Sequence, residues 1–435
     1  MKARNLDQET TLVSGSLFSG GGVGDVGIEW GVGIPVLAAC ELVPSRAALI
    51  RKNFPKTKVF EGDVWKLQQD YVDYFRSKLK GRRPWLLTLS PPCQGMSSNG
   101  AGRISASIRS GKRPREDERN RLILPGINVL EQLQPDWFVL ENVRRMENTI
   151  IRNERDQPEN ILDCLARRLN PLGYSIRANI LDFRAYGVPH HRDRLITVGC
   201  RVGSLTGKHP PVPEPFSKCP SPFHSSSTHG GDGQPPYVTL REAIGHLPPL
   251  DSRDHPVDPT DPYHCVPKWN ERQYFWMEHT PEGQTAFDND RCPVCPKVYR
   301  DRSRTSCSCG SPLPRPQISK GKDTRLVRGF RSSYRRMKWD QPGGTLTMNS
   351  GVISSDLKGH PEQNRVLSIR EILLLSTLEH PRWKKAYSFE GIEYGRMKKG
   401  DSFSKKLVRE VVGESIPPLA MARIVERLAE LDDRI

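Results

Sequence analysis

At 435 residues the chain exceeds one small domain and suits two or three compact units. Hydrophobic residues make up 36% and mean hydropathy is −0.59, and no stretch approaches the roughly 20 apolar residues of a membrane span. Lys and Arg total 66 against 50 Asp and Glu, a net charge of +16 that favours a polyanionic partner, although a merely solvated basic surface would carry the same sum.

The first residues, MKARNLDQETTLVSGS, hold no apolar core followed by a cleavage site, so a cytoplasmic location and no membrane partner are expected. Of the ten cysteines, four fall in one short window and six are scattered. That pattern reads as a reducing compartment with one reactive thiol and a candidate metal cluster, and it speaks against a disulfide-rich exported protein.

From Thr11 to about Arg201, short apolar runs alternate with amphipathic segments. Strands are predicted at Thr11–Phe18, Pro35–Glu41, Val59–Asp63, Leu86–Ser90, Trp137–Val143, Tyr174–Asp182 and Arg194–Arg201. Helices are predicted at Ser45–Asn53, Gln69–Lys80, Leu122–Leu133 and Asn160–Leu169, with Pro125 expected to kink the third or delay its start. Such alternation implies an α/β fold with a doubly wound, mostly parallel sheet. Beyond Arg201 the chain turns rich in Pro, Gly, Ser and His, then basic and cysteine-bearing to about Met348, which reads as a smaller irregular domain. Short helices are predicted within Val238–Leu250, Arg365–Leu378 and Ile416–Leu431. The expected organisation is a leader over 1–10, a catalytic cofactor-binding domain over 11–205 and a recognition domain over 206–363. A hinge follows over 364–404, and 405–435 returns to the catalytic domain.

The first strand runs into Ser16-Leu17-Phe18-Ser19-Gly20-Gly21-Gly22-Val23-Gly24. Glycines such as Gly20 and Gly22 let backbone approach a ligand at the carboxyl end of a sheet, where doubly wound folds bind cofactors. Glu41 and Asp63 close the next two strands, placed to meet a ribose and a base. Together they argue for an adenosine-bearing cofactor, against the alternative of two helix-capping surface carboxylates. The fourth strand enters Ser90-Pro91-Pro92-Cys93-Gln94-Gly95, where two prolines stiffen the approach and present Cys93 at the sheet's mouth. Cys40 and Cys200, inside strands, read as structural. Glu141 ends the fifth strand on the same rim. A thiolate and a carboxyl acid so placed suit addition of sulfur to carbon-6 of a pyrimidine, with the acid protonating ring nitrogen 3 and carbon-5 becoming nucleophilic.

At this point the chain resembles the cytosine-5 DNA methyltransferase family over nearly its whole length. The segments, in family order, are FSGGGVG, PPCQG, ENV, YGVPHHRDRLITVG, WDQPGGTLT, RVLSIREILLLS and GESIPP. The resemblance implies the sheet of S-adenosylmethionine-dependent methyltransferases, that cofactor as methyl donor, and a cytosine flipped out of double-stranded DNA as substrate. It implies that Phe18 packs on the adenine, Glu41 binds the ribose and Asp63 reads the adenine amino group, with Pro91 and Ser415 beside the cofactor. Arg192 and Arg194 would hold the flipped cytosine, Arg194 near the base oxygen. The family's usual glutamine in that segment is His190 here, and Glu414 stands where asparagine is commoner. Between Gln94 and Arg121 lies a basic stretch that reads either as a plain surface loop or, by the resemblance, as the loop that closes over the extruded base. There Ser97 would contact a phosphate, and Arg103 with its basic neighbours would favour the DNA backbone.

Cys292-Pro-Val-Cys295, then eleven residues, then Cys307-Ser-Cys309 offers four thiols for structural Zn²⁺. The second pair has one intervening residue rather than two, and free thiols or a disulfide pair are the competing readings. His264 and His279 read as ordinary surface histidines. A monomer is expected, with a restriction endonuclease acting on the same site as a candidate partner. A transfer-RNA methyltransferase and a catalytically dead DNA-binding relative are the alternative functions, the latter disfavoured because Cys93, Glu141 and Arg194 are all present.

Overall fold

The computed structural model describes residues 12–92, 118–201, 216–217, 223–320, 323–328, 331–397 and 399–432. Strands β1 (Ser14–Leu17), β2 (Val36–Glu41), β3 (Lys58–Glu61), β4 (Leu86–Leu89) and β5 (Trp137–Asn142) form the parallel part of the main sheet. A small antiparallel hairpin, β6 (Ile150–Arg152) with β7 (Pro158–Asn160), follows. Then come β8 (Tyr174–Asp182), β9 (Asp193–Arg201) and the two-residue β10 (Phe216–Ser217). The eight-stranded order is β10-β8-β9-β5-β4-β1-β2-β3, with β9 antiparallel to both neighbours and every other pairing parallel.

Alternation within the strands divides the core. Trp137 and Val139 of β5 face one hydrophobic cluster, while Phe138 and Leu140 face the other. The first cluster is closed by helices Pro44–Asn53, Ile369–Leu375, Lys405–Glu414 and Pro418–Glu430, the second by Val64–Leu79, Ile123–Leu133 and Ile161–Leu169. Central strands β1 and β5 are buried along their whole length; β5 opens on the apolar run Trp137-Phe138-Val139-Leu140, whereas β1 buries the small residues Ser14, Gly15 and Ser16.

Local signals explain the helix ends. Asp63 accepts a hydrogen bond from the Trp65 amide at 3.0 Å, capping Val64–Leu79 five residues before the predicted start. Ser368 and Glu371 form a capping box on Ile369–Leu375. Pro125 introduces no break: it lies in the first turn of Ile123–Leu133, where backbone N–H groups lack intrahelical partners anyway. Sequence periodicity misses the turn Val23–Asp25 that runs on as a π-helix over Val26–Val32. It packs on Pro418–Glu430 so closely that a Cβ on Gly27 would stand 2.3 Å from the Pro418 carbonyl oxygen.

The smaller region is irregular. Its described strands are a single hairpin, β11 (Gln317–Lys320) with β12 (Asp323–Leu326), and its helix Glu271–Glu278 packs Tyr274, Trp276 and Met277 against Tyr334, Ile353 and Val366. Buried Arg336 ties it together by donating to the carbonyls of Met277, Thr280, His360 and Gln363. The expected seam near residue 205 is not a clean one, since Phe223, Leu240, Ile244 and Cys265 join the main core. His264 departs from its expected place on the surface. It is buried, with its ring nitrogens on the Ser368 hydroxyl at 2.9 Å and the Pro248 carbonyl at 2.8 Å. His279 is half-buried and bonds the Phe275 carbonyl.

Candidate active site

The carboxyl ends of β1 to β5 share one rim. After β1, Phe18 takes a left-handed φ of 57°, followed by Gly20 at 57° and Gly22 at 75°. The chain thus doubles back under the rim, and Phe18 is left half-exposed with its ring beside Gly126. Glu41, at the end of β2, is buried and fixes that loop: its two carboxylate oxygens accept from the Gly20 amide at 2.8 Å and the Val43 amide at 2.9 Å. Burial raises its pKa, opposed by the Val43 amide and Arg46. Asp63, half-buried one strand further, spends one oxygen on the Trp65 amide. Ser415 sits below the loop, its hydroxyl 3.9 Å from where a Cβ on Gly20 would stand, and donates to the Val411 carbonyl. Glu414 pairs with Arg46 at 2.5 Å, so the residue found in place of asparagine pins the helix Lys405–Glu414 to Pro44–Asn53.

The other half of the rim is built by β4, β5 and β9. Pro91 is buried at the end of β4, and its carbonyl accepts the Asn142 side-chain amide at 2.9 Å. Asn142 also receives the Val143 amide at 2.8 Å, locking its orientation. Glu141 is buried, and its Oε1 lies 2.9 Å from Nε of Arg194. The structure brings Glu141, Arg194 and Pro91 to one place. Arg192 goes elsewhere: it is 1% exposed, and its guanidinium donates to the carbonyls of Leu346, Gly413 and Glu414. From that position it braces the WDQPGGTLT segment and the end of the helix Lys405–Glu414 rather than facing Glu141. His190 is also buried, and its segment pairs with Gly343 of the same WDQPGGTLT run. Cys93, Ser97 and Arg103 lie outside the described residues.

Three further participants had little sequence signal. Asn142 had one, as the neighbour of Glu141. Asp25 is buried and accepts from the Ser16 hydroxyl at 3.0 Å, while that hydroxyl lies 2.7 Å from Ser19. Tyr387 donates its hydroxyl to the Gly21 carbonyl, and a Cβ on Gly21 would stand 2.9 Å from Val411. Pairs this far apart in sequence leave no local pattern.

In the smaller region the four sulfurs converge. Cys292 and Cys309 are 3.7 Å apart and Cys295 and Cys307 are 3.5 Å apart, and all four lie within 4.8 Å of one another. A tetrahedral Zn²⁺ with Zn–S of about 2.3 Å would separate its sulfurs by about 3.8 Å, so the donor set fits the ion. Backbone amides of Val294 and Cys309 point at Cys292 and Cys307 sulfurs, and the Tyr299 hydroxyl lies 3.1 Å from Cys307.

The family model for C-5 cytosine-specific DNA methylase matches residues 13–430. The chain belongs to that family. It is a DNA cytosine-5 methyltransferase with type II restriction-modification relatives. It is 28% identical over 426 residues to the type II methyltransferase M1.HgaI of Avibacterium volantium, covering 95% of this chain and 97% of that protein. Among solved structures it is similar to a prophage-encoded protein described as a DNA modification methyltransferase (E. coli), with a TM-score of 0.59, 17% identity and coverage of 97% and 99%. It is also similar to Spodoptera frugiperda DNMT2, with a TM-score of 0.54, 15% identity and coverage of 96% and 99%. These likenesses establish the shared sheet. No helix among the described residues is long and apolar enough to cross a membrane.

Proposed function

We propose that the chain methylates carbon-5 of a cytosine extruded from duplex DNA, with Cys93 as nucleophile and Glu141 as acid. The observation that carries this reading is the junction of β4 and β5. Asn142 grips the Pro91 carbonyl two residues before Cys93, while the adjacent Glu141 is held by Arg194. The Cys93 thiolate adds to carbon-6 of the ring while Glu141 relays a proton to nitrogen 3, leaving carbon-5 electron-rich. S-adenosylmethionine, when bound, supplies an electrophilic methyl group to that carbon. Loss of the carbon-5 proton to water then expels the thiolate, and nitrogen 3 returns its proton to Glu141 as the aromatic ring is restored. Arg194 orients Glu141 and lies close enough to the same rim to meet the base oxygen. Arg192 acts through the segments it braces.

Phe18, Gly20, Gly22, Glu41, Asp63, Pro91 and Ser415 would hold the cofactor. The positive-φ loop leaves backbone close to the ligand, and Glu41 keeps lone pairs for hydroxyls beyond the two amides it already accepts. Ser97 and Arg103 would meet DNA phosphates in the loop after Cys93, and residues 206–363 would contact the target sequence. Zn²⁺ on Cys292, Cys295, Cys307 and Cys309 is the metal the sulfur spacing fits, in a structural role, because four thiolates leave no open position. The chain would act as a cytoplasmic monomer, and its type II relatives point to an endonuclease of the same specificity as partner.

The test is trapping on duplex DNA containing 5-fluorocytosine, where fluorine blocks the final proton loss. A covalent complex mapped to Cys93 is expected, and Cys93→Ser should form none while still binding cofactor. Attachment at another cysteine would refute the assignment.

A further inference from the structure

The positive charge is concentrated in one place. Residues 291–331 hold eleven Lys and Arg against two Asp and no Glu, a net +9 out of +16 for the whole chain. This segment carries the four sulfurs, the turns between them and the β11–β12 hairpin.

Its interior is small. Among the described residues, Leu313, Cys292 and Cys307 are its buried apolar members, while Val294, Val298 and Ile318 remain exposed at 72%, 53% and 45%. So little apolar burial cannot hold forty residues in shape against their conformational entropy. Two polar devices do so instead. One is the sulfur cluster. The other is Arg315, fully buried, which donates to the carbonyls of Asn289, Tyr299, Asp301 and Arg304. The turn that presents Arg300, Arg302 and Arg304 is thereby tied to one buried hub.

The surface arginines are left for an outside partner. Arg302 pairs with Asp288 at 3.2 Å. Arg300, Arg304, Arg325, Arg328 and Arg331 form no ion pair with any described residue, and Arg304 lies 4.8 Å above the Tyr299 ring, held out rather than folded back. Arg304 and Arg325 line a shallow depression of about 550 Å³ with Ser303, Thr305, Ser306 and Thr324; the Ser303 hydroxyl is spent on the Asp301 carboxylate at 2.7 Å, and Thr305 and Ser306 bring further hydroxyls to the rim. Asp301 is the described carboxylate beside the depression and is held by the Ser303 amide and hydroxyl, so the guanidinium forks of Arg304 and Arg325 with the remaining hydroxyls match phosphate oxygens.

We propose that residues 291–331 form a metal-pinned lobe that grips the phosphate backbone of duplex DNA and carries a separable, sequence-independent share of affinity. The inference rests on the metal reading above for the lobe's rigidity, but the arginine surface is tested on its own. Full-length protein is titrated with fluorescent duplexes of arbitrary sequence, and with a duplex it methylates, across a range of salt. Arg304→Ala with Arg325→Ala should flatten the slope of log affinity against log salt by about 1 to 2, weakening all duplexes alike. Arg300→Gln with Arg328→Gln, at exposed positions, should do the same and guards against a folding artefact of the first pair. An unchanged slope in both would overturn the proposal. So would a loss confined to the methylated duplex, which would mean base reading, or tighter binding of single-stranded RNA than of duplex. Metal content of the same preparations separates the two readings. Low zinc with a flattened slope removes the metal and keeps the phosphate surface; one zinc per chain with an unchanged slope removes only the surface.

Discussion

Arg194 reaches across the β5–β9 seam to place its Nε 2.9 Å from Oε1 of Glu141. Both side chains are largely buried, so the pair is little screened and either partner left alone would face its neighbour uncompensated. Glu141→Gln should lower turnover by about 10²-fold or more with much smaller change in DNA or cofactor affinity, because the proton matters in the transition state. Arg194→Ala should lose a comparable factor, and the double variant should lose far less than the product of the two. Independent, multiplying losses in a single-turnover assay would mean that Arg194 does not act through Glu141.

Much of this site was visible in sequence because its residues sit at strand ends that apolar runs betray. Glu41 ends β2, Glu141 stands one residue before the end of β5, and the glycines after β1 mark the turn their positive φ values require. Arg192 and Arg194, two residues apart, looked alike. Only tertiary packing separates one donating to the carbonyls of Leu346, Gly413 and Glu414 from one on Glu141. The π-helix over Val26–Val32 was hidden because its glycine-bearing run fits no period, and its stability comes from the helix Pro418–Glu430 almost four hundred residues away in sequence. The hub role of Arg315 could not be read at all, since an arginine among arginines gives no sign of which one turns inward.

Asn142 donates to Pro91 and accepts from Val143, and on the proposed mechanism it positions the approach to Cys93. Asn142→Ala should cost about 1–3 kcal/mol of stability through the buried groups it abandons. It should also slow 5-fluorocytosine adduct formation by about tenfold per folded molecule. Asn142→Asp keeps the acceptor for Val143 but loses the donor to Pro91, so it should recover stability better than rate. Lower melting temperature with a normal adduct rate in both variants would reduce Asn142 to a structural role.

Asp25 links the cofactor loop to pH. Burial pushes its carboxyl up to about 7, against the lowering effect of the Ser16 hydroxyl, with Glu29 adding a further rise. Tyr71 and Tyr387 also feel its charge. Between the ordinary aspartate value near 3.8 and about 7 the folded state binds more protons than the unfolded one, so stability falls as pH rises through that window. Asp25→Asn keeps an acceptor for Ser16 and removes the buried charge. It should melt higher than the parent at pH 8, by up to roughly 4 kcal/mol in stability, and match it near pH 4. Equal melting temperatures across that range would mean that Asp25 carries no such penalty.

The sulfur cluster predicts a local dependence on metal. The segment around it buries little beyond Leu313, so metal–thiolate bonds would supply folding energy that its side chains do not. The main sheet has its own two clusters and needs none of this. Protein purified without chelator should contain about one zinc per chain. Stripping the metal, or Cys295→Ser, should expose Arg291 to Ser311 to proteolysis and weaken DNA binding. Cofactor affinity should persist, because Phe18, Glu41 and Asp63, the residues proposed to hold the cofactor, stand at or just after the ends of β1, β2 and β3. The cooperative melting of the main core should likewise be unchanged. Clearly less than one zinc, with four freely titrating thiols and the same protease resistance with and without chelator, would leave Arg315 as the lobe's sole organiser and return the cysteines to ordinary loop residues.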